Sequence, residues 1–234
     1  MDGTVILVEG ESDKAALEAA AGVLGLELSS TSILVMNGAT NVVRLLVETV
    51  PRGVRVAGLY DVREEAHIVR ALSEAGLTEG RDSSALERLG FFECDEDLEA
   101  ELIRALGAAR VIKVIETQGD DLRRFRSLQQ MPQWRGRRVE DQLRRWFGSG
   151  SRRKVRYAAL LVWAMDAVEV PRPLRRVLEY ALGRYPEAAR GAGHPDRALQ
   201  GAHRVANRHG CARVEHRRPP RRDWSCSNAY VEER

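Results

Sequence analysis

Cysteine is scarce in this chain. Its 234 residues hold only Cys94, Cys211 and Cys226, too few and too scattered for a disulfide framework, and no CxxC pair suggests a zinc ribbon. Reduced thiols are the expectation. There is no run of about 18 apolar residues, so no transmembrane span is expected. The start, MDGTVILVEGES, lacks the basic opening and small-residue cleavage site of a signal peptide, which points to the cytoplasm. No GxxxxGK[ST] occurs, so the chain carries no P-loop. Lysine is rare too: of 37 cationic side chains only Lys14, Lys113 and Lys154 are Lys, which singles out Lys154 within its Arg-rich segment.

Net charge is nearly absent as well, at +3, but that total hides a segregation. Residues 1–104 carry 9 basic and 20 acidic side chains, residues 105–183 carry 17 and 8, and residues 184–234 carry 11 and 6. An acidic half precedes a basic one.

The acidic half alternates short apolar strands with helical periodicity. TVILV (4–8) stops at Glu9-Gly10, and ESDKAALEAAAGVLGLEL follows with apolar residues at helical spacing and Ser12 as its expected N-cap. SILVM (32–36) and VRVAGLY (54–60) repeat the pattern, each with a helix after it, and GFFEC (90–94) precedes the acid-rich helix start DEDLEAELIRALG. Continuous apolar strands alternating with helices predict βαβ units: an α/β fold with a parallel sheet of about four strands flanked by helices. From about residue 105 the strand signals vanish. The expected organisation is therefore an α/β metal-binding domain over 1–104, a basic helical subdomain over 105–183, and a basic, disordered tail over 184–234. His203, His209, Cys211, His216 and Cys226 in that tail fit no established zinc spacing.

In a parallel sheet, reactive groups gather outside the carboxyl ends of the strands. Glu9 ends the first strand and Asp61 the third. Asp13 falls in the first helical turn, Glu64 and Glu65 follow Asp61, and Asp97 and Glu99 open the helix after the fourth strand. Seven carboxylates in one crevice repel one another unless cations neutralise them. Oxygen donors without thiolate or a His cluster favour Mg²⁺ or Mn²⁺, and two such ions suit an in-line displacement at phosphorus. Acids at helix N-termini also serve as ordinary caps and dipole partners, a reading open to Asp13, Glu65, Asp97 and Glu99. Glu11 and Glu18 read as solvent-facing.

The ordered series VEGESDK with Glu9 and Asp13, LYDVREE with Asp61, GFFECDEDLEAELIRALG and SRRKVRYAALLV with Lys154 resembles the TOPRIM domain. Together with MNGATN after the second strand, it is similar in particular to the OLD (overcoming lysogenization defect) nucleases over residues 4–180. The resemblance implies a TOPRIM-like, Rossmann-like sheet and metal-dependent nuclease chemistry with two ions, Glu9 and Asp61 on one and Asp13, Asp97 and Glu99 available to the other. It also implies Lys154 as the cation that neutralises charge at phosphorus. The usual third strand ends in Asp-x-Asp, whereas this chain has Asp61-Val62-Arg63, so Glu64 or Glu65 is the expected substitute. ATP-driven OLD proteins carry an ATPase before this domain, which makes a separate ATPase or helicase an expected partner.

Cations in RRFR (123–126), RGRR (135–138), RR (144–145) and RRKVR (152–156) recur beside Phe125, Trp134, Trp146, Phe147 and Tyr157. Arg124, Arg126, Arg152, Arg153 and Arg156 are the candidate phosphate contacts, since a guanidinium fork suits phosphate oxygens. The aromatics taken singly read as core. Nucleic acid, DNA before RNA, is the expected partner. A primase-like nucleotidyl transferase and a non-catalytic TOPRIM binding module are the alternatives.

Overall fold

The computed structural model describes residues 3–36, 40–49, 54–77 and 83–185. Residues 186–234 of the expected tail and residues 37–39 of MNGATN lie outside them, as do the His and Cys positions beyond 200, whereas Tyr185 is buried in the core and moves the start of the tail past it. In order, the elements are β1 (Thr4–Val8), α1 (Glu11–Leu24), β2 (Thr31–Val35), α2 (Thr40–Thr49), β3 (Arg55–Asp61), a 3-10 turn (Val62–Glu64), α3 (Glu65–Glu74), α4 (Ser83–Arg88) and β4 (Phe91–Cys94). Only helices follow: α5 (Leu98–Leu106), α6 (Ala108–Glu116), α7 (Asp121–Gln130), α8 (Val139–Gly148), α9 (Ser151–Trp163), a second 3-10 turn (Ala167–Glu169) and α10 (Arg172–Ala181).

The strands form one parallel sheet in the order β2-β1-β3-β4, with Ile6 opposite both Ile33 and Ala57 and with Asp61 opposite Cys94. Side chains alternate between two apolar layers, which is why these strands read as continuous hydrophobic runs. Ile6, Val8, Ala57, Leu59, Phe92 and Cys94 meet α1 and the later helices, whereas Leu7, Val56, Tyr60 and Phe91 meet α2, α3 and α4 through Leu46, Ile68 and Leu86. Gly58 permits one of these contacts. A Cβ built there stands 2.4 Å from the Phe91 ring, so Gly58→Ala would displace a ring whose burial is worth about 2–3 kcal/mol. At Gly90 the backbone adopts φ 90° and the Tyr180 ring lies 2.3 Å from where a Cβ would be, so both conformation and space require glycine.

The helices after residue 104 share the first of these layers. Phe125, Trp146, Tyr157, Leu161, Leu174 and Leu178 belong to the same buried cluster as Ile6 and Phe92. Tyr180 of α10 meets Phe92 edge-on at 6.2 Å, and Thr4 Oγ1 donates to the Ala181 carbonyl at 3.0 Å. Helix α9 packs along α1, whose Gly22 leaves room for the Trp163 indole. Docked in this way, the helical part brings its own side chains to the sheet's carboxyl end.

Candidate active site

Helix α1 starts two residues earlier than the Ser12 cap predicts. Gly10 is the N-cap, extended at φ −143° and ψ 174°, and its N–H donates to Asp13 Oδ2 at 2.8 Å. Asp13 at the third helical position satisfies the cap residue's N–H, so Ser12 sits inside the helix, buried. This bond also pins the Asp13 carboxylate against the sheet end, where it is only 9% exposed. Burial pushes its pKa up to about 6, against the pull of the Gly10 N–H and Lys154, with Glu9 adding to the rise. Asp61, the last residue of β3, is pushed up to about 7 by burial and then by the charges of Asp13, Glu9 and Asp97. Glu9 is exposed at the end of β1, and its carboxylate makes no ion pair among the described residues. These shifts place Glu9, Asp13 and Asp61 in one electrostatic neighbourhood. Glu11 and Glu18 face solvent, as expected.

The start of α5 supplies the other two acids, and both have cationic partners. Asp97 caps α5, accepting from Ala100 N–H at 2.9 Å through Oδ1, while its Oδ2 receives Arg144 Nε at 2.8 Å and Nη2 at 2.7 Å. The same guanidinium reaches Glu96 through Nη1. Glu96 has φ 72°, the one non-glycine residue with positive φ among the described residues, and the guanidinium holds its side chain beside Asp97. Glu99 is 7% exposed, with Lys154 Nζ 3.2 Å from its Oε2 and no hydrogen-bond partner for its buried Oε1. Burial raises the Glu99 pKa, and Lys154 offsets part of that rise. Lys154 itself is held more firmly protonated than a free lysine: burial alone would lower its pKa, but Glu99, Asp13 and Asp61 outweigh it.

Glu65 does not join this group, and Glu64 makes its one described contact with the neighbouring turn. Glu64 stands 3.2 Å from His67 Nδ1. Glu65 lies near Glu93 and Tyr60, whose pKa values it helps to raise, on the side of the sheet covered by α2–α4. Position 63 is filled by an exposed Arg in the 3-10 turn. Glu65 therefore does not replace the acid missing from the third-strand motif, whereas Glu64 keeps a buried Oε2 with no hydrogen-bond partner. Side-chain direction explains the Glu65 position: Asp61 is the last residue of the strand, and after the 3-10 turn Glu65 opens α3 on the other side of the sheet.

Among the described residues, no three acidic, histidine or cysteine side chains lie close enough together to ligate one ion as they stand. The donor chemistry nevertheless suits a hard divalent cation. All the donors are carboxylate oxygens, Glu99 Oε1 is buried and unpaired, and Asp13 and Asp61 are driven toward protonation by burial first and by neighbouring acids second. Exposed Glu9 and half-buried Asp61 have the freedom to move onto an ion.

Of the candidate phosphate-binding cations, Arg126 and Arg152 are exposed and make no ion pair among the described residues, and Arg124 stands 3.8 Å from Asp121. Arg153 lies over the Trp146 ring at 4.3 Å and donates to the Trp146 carbonyl and Ser149 Oγ, each at 2.8 Å. Arg156 donates to Gln118 Oε1 at 2.7 Å and lies 3.6 Å from buried Asp121, which also accepts from Tyr157 O–H at 2.9 Å. Phe125, Trp146, Phe147 and Tyr157 are buried in ring-to-ring contact, which is the core reading of the aromatics. Arg144 was visible in the sequence only as one of a basic pair. Its contacts lie 47 and 48 residues away in the chain, and no local pattern signals them.

No protein-family model matches this chain, and no curated protein sequence matches it. Solved structures do. The C-terminal region of the Burkholderia pseudomallei OLD protein superposes with a TM-score of 0.59 at 21% identity, over 76% of this chain and 96% of that one. The C-terminal region of the Xanthomonas campestris pv. campestris OLD protein, in a structure phased with mercury, superposes with a TM-score of 0.58 at 21% identity, over 87% and 98%. A platinum-phased structure of the latter gives 0.58 at 23%. The chain has the OLD-like TOPRIM fold that its strand-end motifs predict, a four-stranded parallel sheet flanked and followed by helices.

Proposed function

We propose that this OLD-like TOPRIM chain is a Mg²⁺- or Mn²⁺-dependent nuclease that hydrolyses phosphodiester bonds in nucleic acid, with DNA as the favoured substrate. The observation that carries this reading is the convergence of strand-end carboxylates with a lysine from a distant helix. Glu9, Asp13 and Asp61 gather excess negative charge at the sheet's end, and Lys154 reaches them from α9. A fold held together only by packing gains nothing from burying repelling acids there.

In this reading Glu9, Asp13 and Asp61 hold the cation, which supplies Lewis acidity toward a phosphoryl oxygen. Lys154, kept protonated, stabilises the negative charge that builds on phosphorus in the transition state. Exposed Arg126 and Arg152 contact backbone phosphates, giving affinity without sequence preference. No described helix is long and apolar enough to cross a membrane. These 234 residues contain no P-loop, and a separate ATPase or helicase is the partner proposed where the activity needs one.

One observation favours a second reading. Arg63 stands where an acid completes the usual pair, which suits a TOPRIM module that binds nucleic acid without cutting it. Plasmid nicking separates the two. Mn²⁺-dependent nicking that falls at least a hundredfold in Glu9→Ala and in Asp61→Ala supports the nuclease. Metal-independent DNA binding with no nicking under any divalent cation assigns the module.

A further inference from the structure

Helix α8 fixes Arg144 to Asp97 and Glu96, but the turn that precedes α8 treats its guanidinium groups differently. From Arg123 to Arg138 the chain carries six Arg and no Asp or Glu. The acids that flank this stretch meet three of them: Arg123 stands 3.1 Å from Asp120, Arg124 3.8 Å from Asp121 and Arg138 3.6 Å from Glu140. Arg126, Arg135 and Arg137 are exposed and make no ion pair among the described residues. We propose that these three form a grip for the phosphate backbone of nucleic acid, carried on a turn that is held in shape before anything binds. This rests on the reading of the chain as one that acts on nucleic acid, and it requires neither cleavage nor a bound metal ion.

Two of the three are fixed by groups that leave their charge intact. Arg135 Nη2 donates to the Gln130 carbonyl at 3.0 Å, and Arg137 Nε donates to the Gln133 carbonyl at 2.9 Å while its guanidinium lies over the Trp134 ring at 5.7 Å. A carbonyl orients a cation without neutralising it. The turn itself is pinned by Gln142, whose residue is only 5% exposed. Its amide nitrogen donates to the Trp134 and Arg137 carbonyls at 2.8 and 3.2 Å, and its amide oxygen accepts from Gln129 Nε2 at 2.7 Å. A buried amide thus shapes an exposed basic turn, which lowers the ordering cost that a bound backbone would otherwise meet.

The surroundings select a long polyanion. On α7, Arg126 shares a shallow groove of about 530 Å³ with Arg123, Ser127 and Gln130, and Gln130 is the residue whose carbonyl holds Arg135, so groove and turn are continuous. In the other direction Arg138 lines the cleft between α5 and α8 together with Glu96, Arg104, Asp141 and Arg144. From Arg138 to Arg144 is about 9 Å along the helix, less than three base steps of a strand. A backbone that enters at the sheet end therefore reaches the turn without leaving the surface. An anionic membrane fits less well, because Met131 is the only exposed large apolar side chain between Arg123 and Arg138, and Trp134 lies beneath Arg137.

The test reads fluorescence anisotropy with the full chain in EDTA, on fluorescein-labelled DNA in single-stranded and duplex form, over a series of salt concentrations. On the form that wild type binds more tightly, a variant combining Arg126→Ala, Arg135→Ala and Arg137→Ala is expected to bind at least tenfold more weakly and to lower the slope of log affinity against log salt by about 2 to 3, one for each lost phosphate contact. Gln142→Ala keeps every cation and is expected to weaken binding a few-fold; unchanged affinity in that variant, folded by circular dichroism, overturns the pinned turn. Wild-type affinity and slope in the folded triple variant overturn the grip and leave the nuclease reading standing. A triple variant that loses binding to phosphatidylglycerol vesicles while keeping its DNA affinity assigns the turn to a membrane surface, which also overturns it. A wild-type chain that nicks nothing yet binds DNA through these three Arg residues upholds the grip and overturns the nuclease reading. Wild type that binds neither form of DNA sinks both.

Discussion

Two groups of acids meet at one end of the sheet, and they are built on opposite principles. The acids that follow β1 and β3 are left without cationic partners of their own: Glu9 is exposed, and Asp13 and Asp61 have pKa values pushed up to about 6 and about 7 by burial and mutual repulsion. The acids on the β4–α5 side are supplied with partners, Arg144 for Asp97 and Lys154 for Glu99. The uncompensated group has a standing demand for positive charge from outside. The compensated group has most of that demand met from within, by helices that dock on the α1 side of the sheet, with Arg144 shared between Asp97 and Glu96. A site that binds an ion and a site that merely tolerates buried charge differ in this, not in how many acids they contain.

The sharpest way to break the comparison is to remove the cation that joins the groups. Lys154→Ala is expected to lower turnover about a hundredfold while DNA affinity stays within a few-fold, because its charge acts on the transition state more than on the bound backbone. Single-turnover nicking beside a filter-binding titration checks this, and a large affinity loss with turnover intact would remove Lys154 from the chemistry.

A second difference should appear in pH dependence. Asp13 and Asp61 have folded pKa values above the ordinary 3.8, so the folded chain holds more protons than the unfolded one as pH rises from about 4 to about 7. Their contribution to stability is fully present below pH 4 and is lost as pH climbs through the folded values. In EDTA this costs about 3 kcal/mol from Asp13, and from Asp61 less than its larger shift suggests, since water screens it. Thermal melts from pH 4.5 to 7.5 should show the decline, Asp13→Asn should flatten it, and Mn²⁺ at pH 7.5 should restore stability. A wild-type chain whose apo stability rises across that interval contradicts the assignment.

The smallest effect tests the compensated side. Arg144→Ala removes the partner of Asp97 and Glu96 and should destabilise the chain by about 1–2 kcal/mol in urea, less than a fully buried pair because Arg144 is partly open to water. Arg144→Lys should recover only part of that, since an ammonium cannot hold two carboxylates with one planar fork. Equal stability of wild type and Arg144→Ala would show that the fork contributes nothing.

Much of this arrangement could be read in advance because it depends on local pattern. Continuous apolar runs ending at Glu9 and Asp61 give buried parallel strands whose ends carry the acids, and a Lys isolated among Arg residues marked Lys154. What could not be read depends on direction and distance. Ser12 looks like a cap until Asp13 takes the Gly10 N–H. Glu65 looks like a replacement for the missing acid until the 3-10 turn places it beside Glu93. Arg153 and Arg156 look like phosphate contacts in the same way as Arg152, yet the first stacks on Trp146 and the second is tied to Gln118 and Asp121.

The sequence by itself determined the sheet, its strand direction and the acids at its carboxyl end, because hydrophobic period and turn position are properties of neighbouring residues. Only the tertiary structure decided which of those acids have their charge met. An ion pair such as Arg144 with Asp97 or Lys154 with Glu99 joins residues about fifty apart, and its existence depends on how α8 and α9 pack against α5 and α1. Charge compensation is a matter of a few ångströms across such packing, a separation that one-dimensional order does not encode.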